Sequence, residues 1–154
     1  MSQDPMFEIL LVDDNRTDVE IMQEALEGGK VSTRLHAACD GVEAMAFLRR
    51  EDAYRDAPRP DLILLDMKMP RMGGLEVLAA VKGDPDLRSI PTVMLTSSKE
   101  GRDVARAYEL QANGFVQKPL DFDDFLVVMG GIEQFWTSVA TVPARMTALP
   151  TAAG

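Results

Sequence analysis

The sequence has very few of the side chains that bind transition metals or close disulfide bonds. It contains one cysteine, Cys39, and one histidine, His36. A single cysteine cannot form a disulfide within the chain, and this cysteine usage is typical of a reducing compartment. A zinc site is unsupported as well, because zinc draws most of its protein ligands from Cys and His. We read both residues as structural.

The chain also lacks any long hydrophobic run. None approaches the roughly 18 apolar residues that mark a membrane-spanning helix. The first five residues have no basic start and no apolar stretch of the kind found in a secretory signal. Together with the lone cysteine, these absences predict a cytoplasmic protein.

Basic residues are scarce relative to acidic ones. The chain has 16 Lys and Arg against 25 Asp and Glu, which gives a net charge of −9. A nucleic-acid surface needs clustered Lys and Arg, and an anionic membrane repels an acidic chain. We therefore expect neither as a partner. The 154 residues, 46% of them hydrophobic, suit one domain with its own core.

Short apolar runs alternate with segments of helical periodicity along the chain. This alternation predicts βαβ units, and hence an α/β fold with a parallel sheet and helices on both faces. Asn15 is placed to cap the first helix, and Gly28 with Gly29 to end it. The predicted strands are 7–12, 31–38, 62–66, 92–96 and 115–118, and the predicted helices begin near 15, 41, 75, 101 and 121, the last of them ending near 136.

Polar side chains follow four of these strands at the point where each strand ends. Asp13 and Asp14 come after the first strand, Asp66 ends the third, Thr96 ends the fourth and Lys118 ends the fifth. Each could simply mark the end of a strand. The carboxyl ends of parallel strands lie along one edge of a sheet, however, so we expect these side chains to converge.

Three carboxylates at one place need compensating positive charge. Two of them about 4 Å apart repel by about 4 kcal/mol at an effective dielectric constant of about 20. Lys118 supplies one cation, and a divalent metal would supply the rest. A site made of oxygen ligands suits Mg²⁺, which keeps several waters and accepts a phosphate oxygen.

A carboxylate next to Mg²⁺, a lysine and a hydroxyl is a good acceptor for a phosphoryl group. Asp66 is the best nucleophile, because it stands alone after its strand, whereas the adjacent Asp13 and Asp14 are better placed to hold metal. The Lys118 ammonium and the Thr96 hydroxyl could each stabilise an oxygen of the transferring group.

This set of residues resembles the signature of the response-regulator receiver domain, over residues 7 to 136. The resemblance implies a doubly wound, flavodoxin-like five-stranded parallel sheet with strand order 2-1-3-4-5. It also implies a signalling protein of the two-component phosphorelay rather than an enzyme with an external substrate. Asp66 would then take its phosphoryl group from a phosphohistidine on a sensor histidine kinase.

The same resemblance assigns the metal ligands. Asp14, Asp66 and the backbone carbonyl of Lys68 would bind Mg²⁺ directly, and Asp13 would act mainly through water. The bond between Lys118 and Pro119 would be cis.

The resemblance assigns a switch as well. Thr96 would move toward the phosphoryl group while Phe115 turns inward, although plain core packing also explains Phe115. Lys68 and Ser98 occupy positions that tune phosphate lifetime in this family.

We expect a receiver domain over residues 7–137, an extended or disordered tail over 138–154, and no output domain. The signal would then leave through a partner or through self-association. The last helix carries more apolar surface than one face can bury, which favours a homodimer or partner interface. That interface would contain Val128, Phe135 and Trp136, unless the tail covers them.

Some details resemble one subgroup, the stand-alone receivers paired with bacterial phytochromes, which tend to be dimers. The resemblance lies in the long loop 51–60, the segment 82–91 and the ending at Phe135-Trp136 with Val142-Pro143. It implies that the kinase is a bacteriophytochrome.

Three alternative functions are compatible with some of these residues. Haloacid-dehalogenase-type phosphatases also use an aspartate nucleophile with Mg²⁺, but they need a second acid where this chain has Lys68. A flavodoxin-like cofactor binder would need a phosphate loop, and Asp13-Asp14 would repel that phosphate. A receiver-like interaction module that takes no phosphate would be expected to lack Asp66 or Lys118.

Overall fold

We describe the protein from a computed structural model, which describes residues 6–97 and 101–143. Strands and helices alternate, as the sequence predicts. The elements are β1 (Phe7–Val12), α1 (Arg16–Glu27), β2 (Thr33–Ala38), α2 (Gly41–Arg49), β3 (Leu62–Leu65), α3 (Gly74–Gly83), β4 (Thr92–Thr96), α4 (Gly101–Glu109), β5 (Gly114–Gln117) and α5 (Phe122–Gln134).

Most boundaries lie within one or two residues of the predicted ones. The predicted loop 51–60 contains a single turn of 3₁₀-helix, Asp52–Tyr54, and α5 ends at Gln134 in a π-helical turn over Phe135–Val139. Asn15 caps α1 as expected: its side-chain Oδ1 accepts a hydrogen bond from the Thr17 amide at 2.9 Å.

The five strands form one parallel sheet in the order β2-β1-β3-β4-β5, which confirms the predicted doubly wound fold. Val12, the last residue of β1, lies opposite Ala38 of β2 and Leu65 of β3. Thr96, the last residue of β4, lies opposite Gln117 of β5. Because all the strands run parallel, the residues that follow them share one edge of the sheet, although β4 and β5 extend two residues beyond the end of β3.

The sheet is buried on both faces, so its central strands are mostly apolar, with Glu8 in β1 and Thr92 and Thr96 in β4 as buried polar exceptions. Side chains of alternate residues pack on opposite sides. One core, between the sheet and α2 and α3, includes Leu10, Ile63 and Met94. The other, between the sheet and α1 and α5, includes Ile9, Leu64, Leu95, Met22, Phe125 and Met129.

The C-terminal helix has a narrower buried stripe than its sequence pattern suggests. Phe125, Met129 and Ile132 are buried, but Phe122, which the pattern places on the same stripe, is 51% exposed. Phe122 is the first residue of α5, where the chain has only just left the loop. The stripe facing the sheet therefore begins one turn later.

The first residues of the predicted tail pack against the domain. Val142, beyond the π-helical turn, is 1% exposed and belongs to the core beneath α1 and α5. Val128 and Trp136 are partly buried against that core. Residues 144–154 lie outside the described part of the chain. Within the described ranges, no helix is long and apolar enough to cross a membrane.

Candidate functional site

Three carboxylates meet at the carboxyl edge of the sheet. Oxygen atoms of Asp13, Asp14 and Asp66 all lie within 4.8 Å of one another. Asp13 and Asp66 are buried and Asp14 is exposed, so the cluster opens to solvent on one side. The donor set is entirely oxygen, which suits a small divalent cation such as Mg²⁺ or Mn²⁺.

Backbone hydrogen bonds fix the two buried acids at the ends of their strands. The Asp13 amide donates to Ala38 at 2.9 Å, and the Asp66 amide donates to Val12 at 2.9 Å. One oxygen of each carboxylate is also held locally. The Asn15 amide donates to Asp13 Oδ1 at 2.9 Å, and the Met67 amide donates to Asp66 Oδ1 at 2.9 Å. The strand ends therefore set the separation of the carboxylates.

The turn after Asp66 contains Lys68. The turn closes where the Gly74 amide donates to the Met67 carbonyl at 2.9 Å. Only glycine fits at residue 74, because a Cβ there would overlap the carbonyl oxygen of Asp66. The Lys68 side chain is exposed, two residues beyond Asp66.

Lys118 is the cation of the site. Its Nζ donates to Asp13 Oδ2 at 2.8 Å and to Asp18 Oδ2 at 2.6 Å, and it lies 3.5 Å from Asp66 Oδ1. Its amide donates to the Thr96 carbonyl at 2.7 Å, which ties β5 to β4 where both end. The described residues contain no cis peptide bond, so the expected cis bond before Pro119 is wrong. The ammonium reaches the acids with this bond trans.

Asp18 is the site residue that the sequence analysis missed. Its place in the first turn of α1 suggests a carboxylate that merely favours the helix dipole. The structure instead buries it against Lys118. One signal was available: Asp18 lies three and four residues before Ile21 and Met22, which puts it on the buried face of the helix.

Burial and crowding perturb the acids. Burial, together with the neighbouring Asp18 carboxyl, raises the pKa of Asp13 to about 7, although Lys118 and the Asn15 amide act in the opposite direction. Burial also raises the pKa of Asp66 above its ordinary range, against the effect of Lys118. The pKa of Lys118 is raised despite its burial, because Asp13 and Asp18 stabilise the ammonium. The site thus holds more negative charge than one lysine offsets.

Thr96 and Phe115 lie beside the cluster rather than in it. Thr96 is 2% exposed at the end of β4, and Phe115 on β5 is opposite Met94 of β4. Phe115 is partly buried and packs against the core that α2 and α3 cover. Ser98 lies outside the described residues.

The three predicted interface residues are on α5 and the turn that follows it, outside the cluster. Phe135 is 48% exposed and meets Trp136 edge to face, with ring centroids 5.2 Å apart. Trp136 and Val128 are more covered than Phe135, because they pack partly against the chain's own core. Of the three side chains, that of Phe135 has the largest solvent-exposed fraction.

Comparison with known proteins agrees with this fold. The profile of the family described as "Response regulator receiver domain" matches residues 9–129. The chain is 43% identical over 136 residues to the response regulator Rcp1 of Synechocystis sp., covering 88% of this chain and 92% of that protein.

Solved structures give the same result. The phosphorylated cyanobacterial phytochrome response regulator RcpA is 42% identical, with a TM-score of 0.88 over 90% of this chain and 99% of that one. The Mn²⁺-bound form of Rcp1 is 42% identical, with a TM-score of 0.86 and the same coverage. The bacteriophytochrome response regulator AtBRR is 43% identical, with a TM-score of 0.68 over 84% of this chain and 95% of that one.

Proposed function

The chain belongs to the response regulator receiver domain family, and from this premise we propose that it accepts a phosphoryl group on Asp66. Proteins of this family act in two-component signalling. The observation that supports Asp66 is the position of Lys118 Nζ, 3.5 Å from Asp66 Oδ1 and bonded to two other acids. Asp13 forms a direct hydrogen bond with this ammonium, whereas Asp66 lies near the ammonium at a longer distance.

The transfer is a displacement at phosphorus. A carboxylate oxygen of Asp66 attacks the phosphorus of a phosphohistidine, an O–P bond forms and the N–P bond breaks. The electron pair stays on the imidazole nitrogen of the donor, which then takes up a proton. Asp66 must be ionised to attack, and its burial opposes this. Lys118 favours the ionised form and can donate to an oxygen of the transferring group.

The acidic cluster binds a divalent cation, as the Mn²⁺-bound form of Rcp1 also indicates. We propose Mg²⁺ as the resident ion, with Asp14, Asp66 and the Lys68 carbonyl as its protein ligands. Asp13, which Lys118 already engages through Oδ2 and the Asn15 amide through Oδ1, would act through water. The ion supplies charge that offsets the carboxylates and the incoming phosphoryl group.

The switch proposed for the family fits the positions of Thr96 and Phe115. Thr96 ends β4 beside the site, and its hydroxyl would turn toward the phosphoryl oxygens. Phe115 is only partly buried, so an inward turn would cover more of its ring. Phosphorylation would thereby change the surface around β4 and β5.

On this account, a protein donates the phosphoryl group, and the signal passes on through contact with a protein. A receiver implies a sensor histidine kinase, and the similarity to phytochrome response regulators supports a phytochrome as that kinase. We place the protein in the cytoplasm, as a homodimer whose interface includes Val128, Phe135 and Trp136. The protein would have no external substrate and would catalyse only its own phosphorylation and dephosphorylation.

Incubation with acetyl phosphate and Mg²⁺, followed by intact-mass spectrometry, tests the function. We expect the wild type to gain the mass of one phosphoryl group and Asp66→Asn to gain none. The matched control is Asp86→Asn, which removes an exposed carboxylate in the loop before β4 and should be phosphorylated normally. An unmodified wild type, or a phosphorylated Asp66→Asn, would contradict the proposal.

A further inference from the structure

Asp18 makes the shortest polar contact in the described part of the site. Its Oδ2 accepts from Lys118 Nζ at 2.6 Å, across 100 positions of sequence. Asp18 is buried and Lys118 is partly buried, with 10% and 12% of their side chains exposed. A buried carboxylate is stable only when it is paired, and Lys118 is its partner here.

The two bonds to Asp13 and Asp18 fix the direction of the Lys118 ammonium. An ammonium has three N–H donors. Asp13 and Asp18 take two of them, at 2.8 and 2.6 Å. The third is left on the side of Asp66, whose Oδ1 is 3.5 Å away, beyond a good hydrogen bond. A phosphoryl oxygen bonded to Asp66 would find that donor unused.

The same bonds keep Lys118 away from the nucleophile. If Asp18 were neutral, Asp13 and Asp66 would be the remaining anions within reach of Nζ. Lys118 would then move toward Asp66 and form a short ion pair with it. A carboxylate in a short ion pair is a weaker nucleophile, and the lysine would occupy space that the incoming phosphoryl group needs.

We propose that Asp18 is a positioning residue, which holds Lys118 off Asp66 in the resting state and directs its free N–H to the phosphoryl group. The inference depends on Asp66 being the acceptor. It adds a fourth acid to the working site, one that holds the lysine and is not needed as a metal ligand.

The first test is the rate of phosphorylation by acetyl phosphate at saturating Mg²⁺, with saturation checked for each variant by a Mg²⁺ titration of the rate. We expect Asp18→Asn, which keeps the shape and loses the charge, to be slower by about tenfold, the effect of one charge-assisted hydrogen bond. Asp18→Glu, which keeps the charge, should recover part of the rate. Glu20→Gln removes an exposed carboxylate from the same helix and should react like the wild type.

The second test needs no metal or phosphate. The ¹⁵N-coupled proton signal of the Lys118 side-chain ammonium should be visible in the wild type and in Glu20→Gln, because both carboxylates hold it. In Asp18→Asn the ammonium, held by Asp13 and Asp66 instead, should gain a nuclear Overhauser contact with the Cβ protons of Asp66, while the backbone amide spectrum stays that of a folded domain. A purely structural Asp18 would lower the melting temperature of Asp18→Asn and leave this signal and the rate unchanged.

Two outcomes overturn the inference while Asp66 remains the acceptor. One is an Asp18→Asn rate equal to or above that of the wild type, and the other is a Lys118 signal in Asp18→Asn that shows no new contact with Asp66. Failure of the wild type to take phosphate at all overturns the proposed function instead. The experiment therefore separates the two claims.

Discussion

At the scale of single residues, Asp13 has an environment that opposes its charge. Its carboxylate is buried and lies next to a second acid, Asp18, on the same lysine. Burial, and after it the Asp18 carboxyl, raise the pKa of Asp13 to about 7 from its ordinary 3.8, although Lys118 acts in the opposite direction. A divalent cation would remove the conflict by adding the missing positive charge.

This raised pKa predicts an unusual pH dependence of stability. Between the ordinary value and about 7, the folded metal-free chain holds a proton on Asp13 that the unfolded chain has released. The group's contribution to the free energy of unfolding is therefore full at low pH and falls as the pH rises through this window. The raised pKa of Asp66 acts in the same direction.

Urea unfolding without metal, from about pH 5 to about pH 8, checks this prediction. The decline in unfolding free energy should be shallower in Asp13→Asn than in the wild type. Because a cation competes with the proton, Mn²⁺ affinity of the wild type should rise over the same range. A pH-independent affinity, or an equal decline in both proteins, would contradict the account of Asp13.

The sequence located Asp13, Asp14, Asp66 and Lys118 because each follows an apolar strand, and strand ends meet in a parallel sheet. Asp18 was not located, because a first-turn acid already has an ordinary explanation in the helix dipole. Its pairing with Lys118 depends on how deeply α1 packs against the sheet, which the spacing of residues does not give.

At the scale of elements, the β3–α3 turn is the tightest part of the site. A Cβ on Gly74 would overlap the backbone of Asp66, whereas one on Gly83, at the other end of α3, would meet nothing within 4 Å. The backbone cannot yield at Asp66 without moving the carboxylate. The turn therefore requires glycine at position 74, because there is no room for a Cβ atom.

Gly74→Ala should lower the free energy of unfolding by about 3 kcal/mol, the cost of forcing an extra methyl group into a packed site. It should also weaken Mn²⁺ binding, because Asp66 moves. Gly83→Ala should change stability by less than about 1 kcal/mol, in the stabilising direction. Chemical denaturation of both variants measures the difference, and equal stabilities would show that the turn can relax.

The elements themselves were predicted well from hydrophobic periodicity, and their ends were predicted less well where the apolar pattern runs past the end of the element. The ends of α5 show this: Phe122 is exposed at its start, and the helix gives way to a π-helical turn at Phe135. The apolar pattern continues through both ends, so sequence alone cannot place them. Val142 then fills part of the core beneath α5, which reduces the apolar surface that is left uncovered.

At the scale of the whole molecule, the sheet order followed from resemblance to a family, whereas parallel strands with helices on both faces followed from the alternation of patterns. Neither the family resemblance nor the alternation of patterns determines the oligomeric state. The exposed apolar side chains near the end of α5 include Val127, Phe135 and Val139, at 73%, 48% and 68% exposure. Of these three residues, Phe135 alone belongs to the interface predicted for the homodimer, together with Val128 and Trp136.

Sedimentation equilibrium checks the dimer. We expect the wild type to sediment as a dimer and Phe135→Ala to shift toward the monomer, since aromatic anchors dominate such interfaces. Val42→Ala, an exposed apolar residue on α2, is the matched control and should stay dimeric. A monomeric wild type, or a Phe135→Ala dimer of unchanged affinity, would remove this surface from the account.

The central claim is that a buried acid at the edge of the sheet takes the phosphoryl group. After reaction with acetyl phosphate and Mg²⁺, borohydride reduces an aspartyl phosphate to homoserine, and peptide mass spectrometry locates it. We predict homoserine at position 66 and unmodified aspartate at positions 13, 14 and 18. Homoserine at any of those three positions, or at none of the four, would contradict the claim.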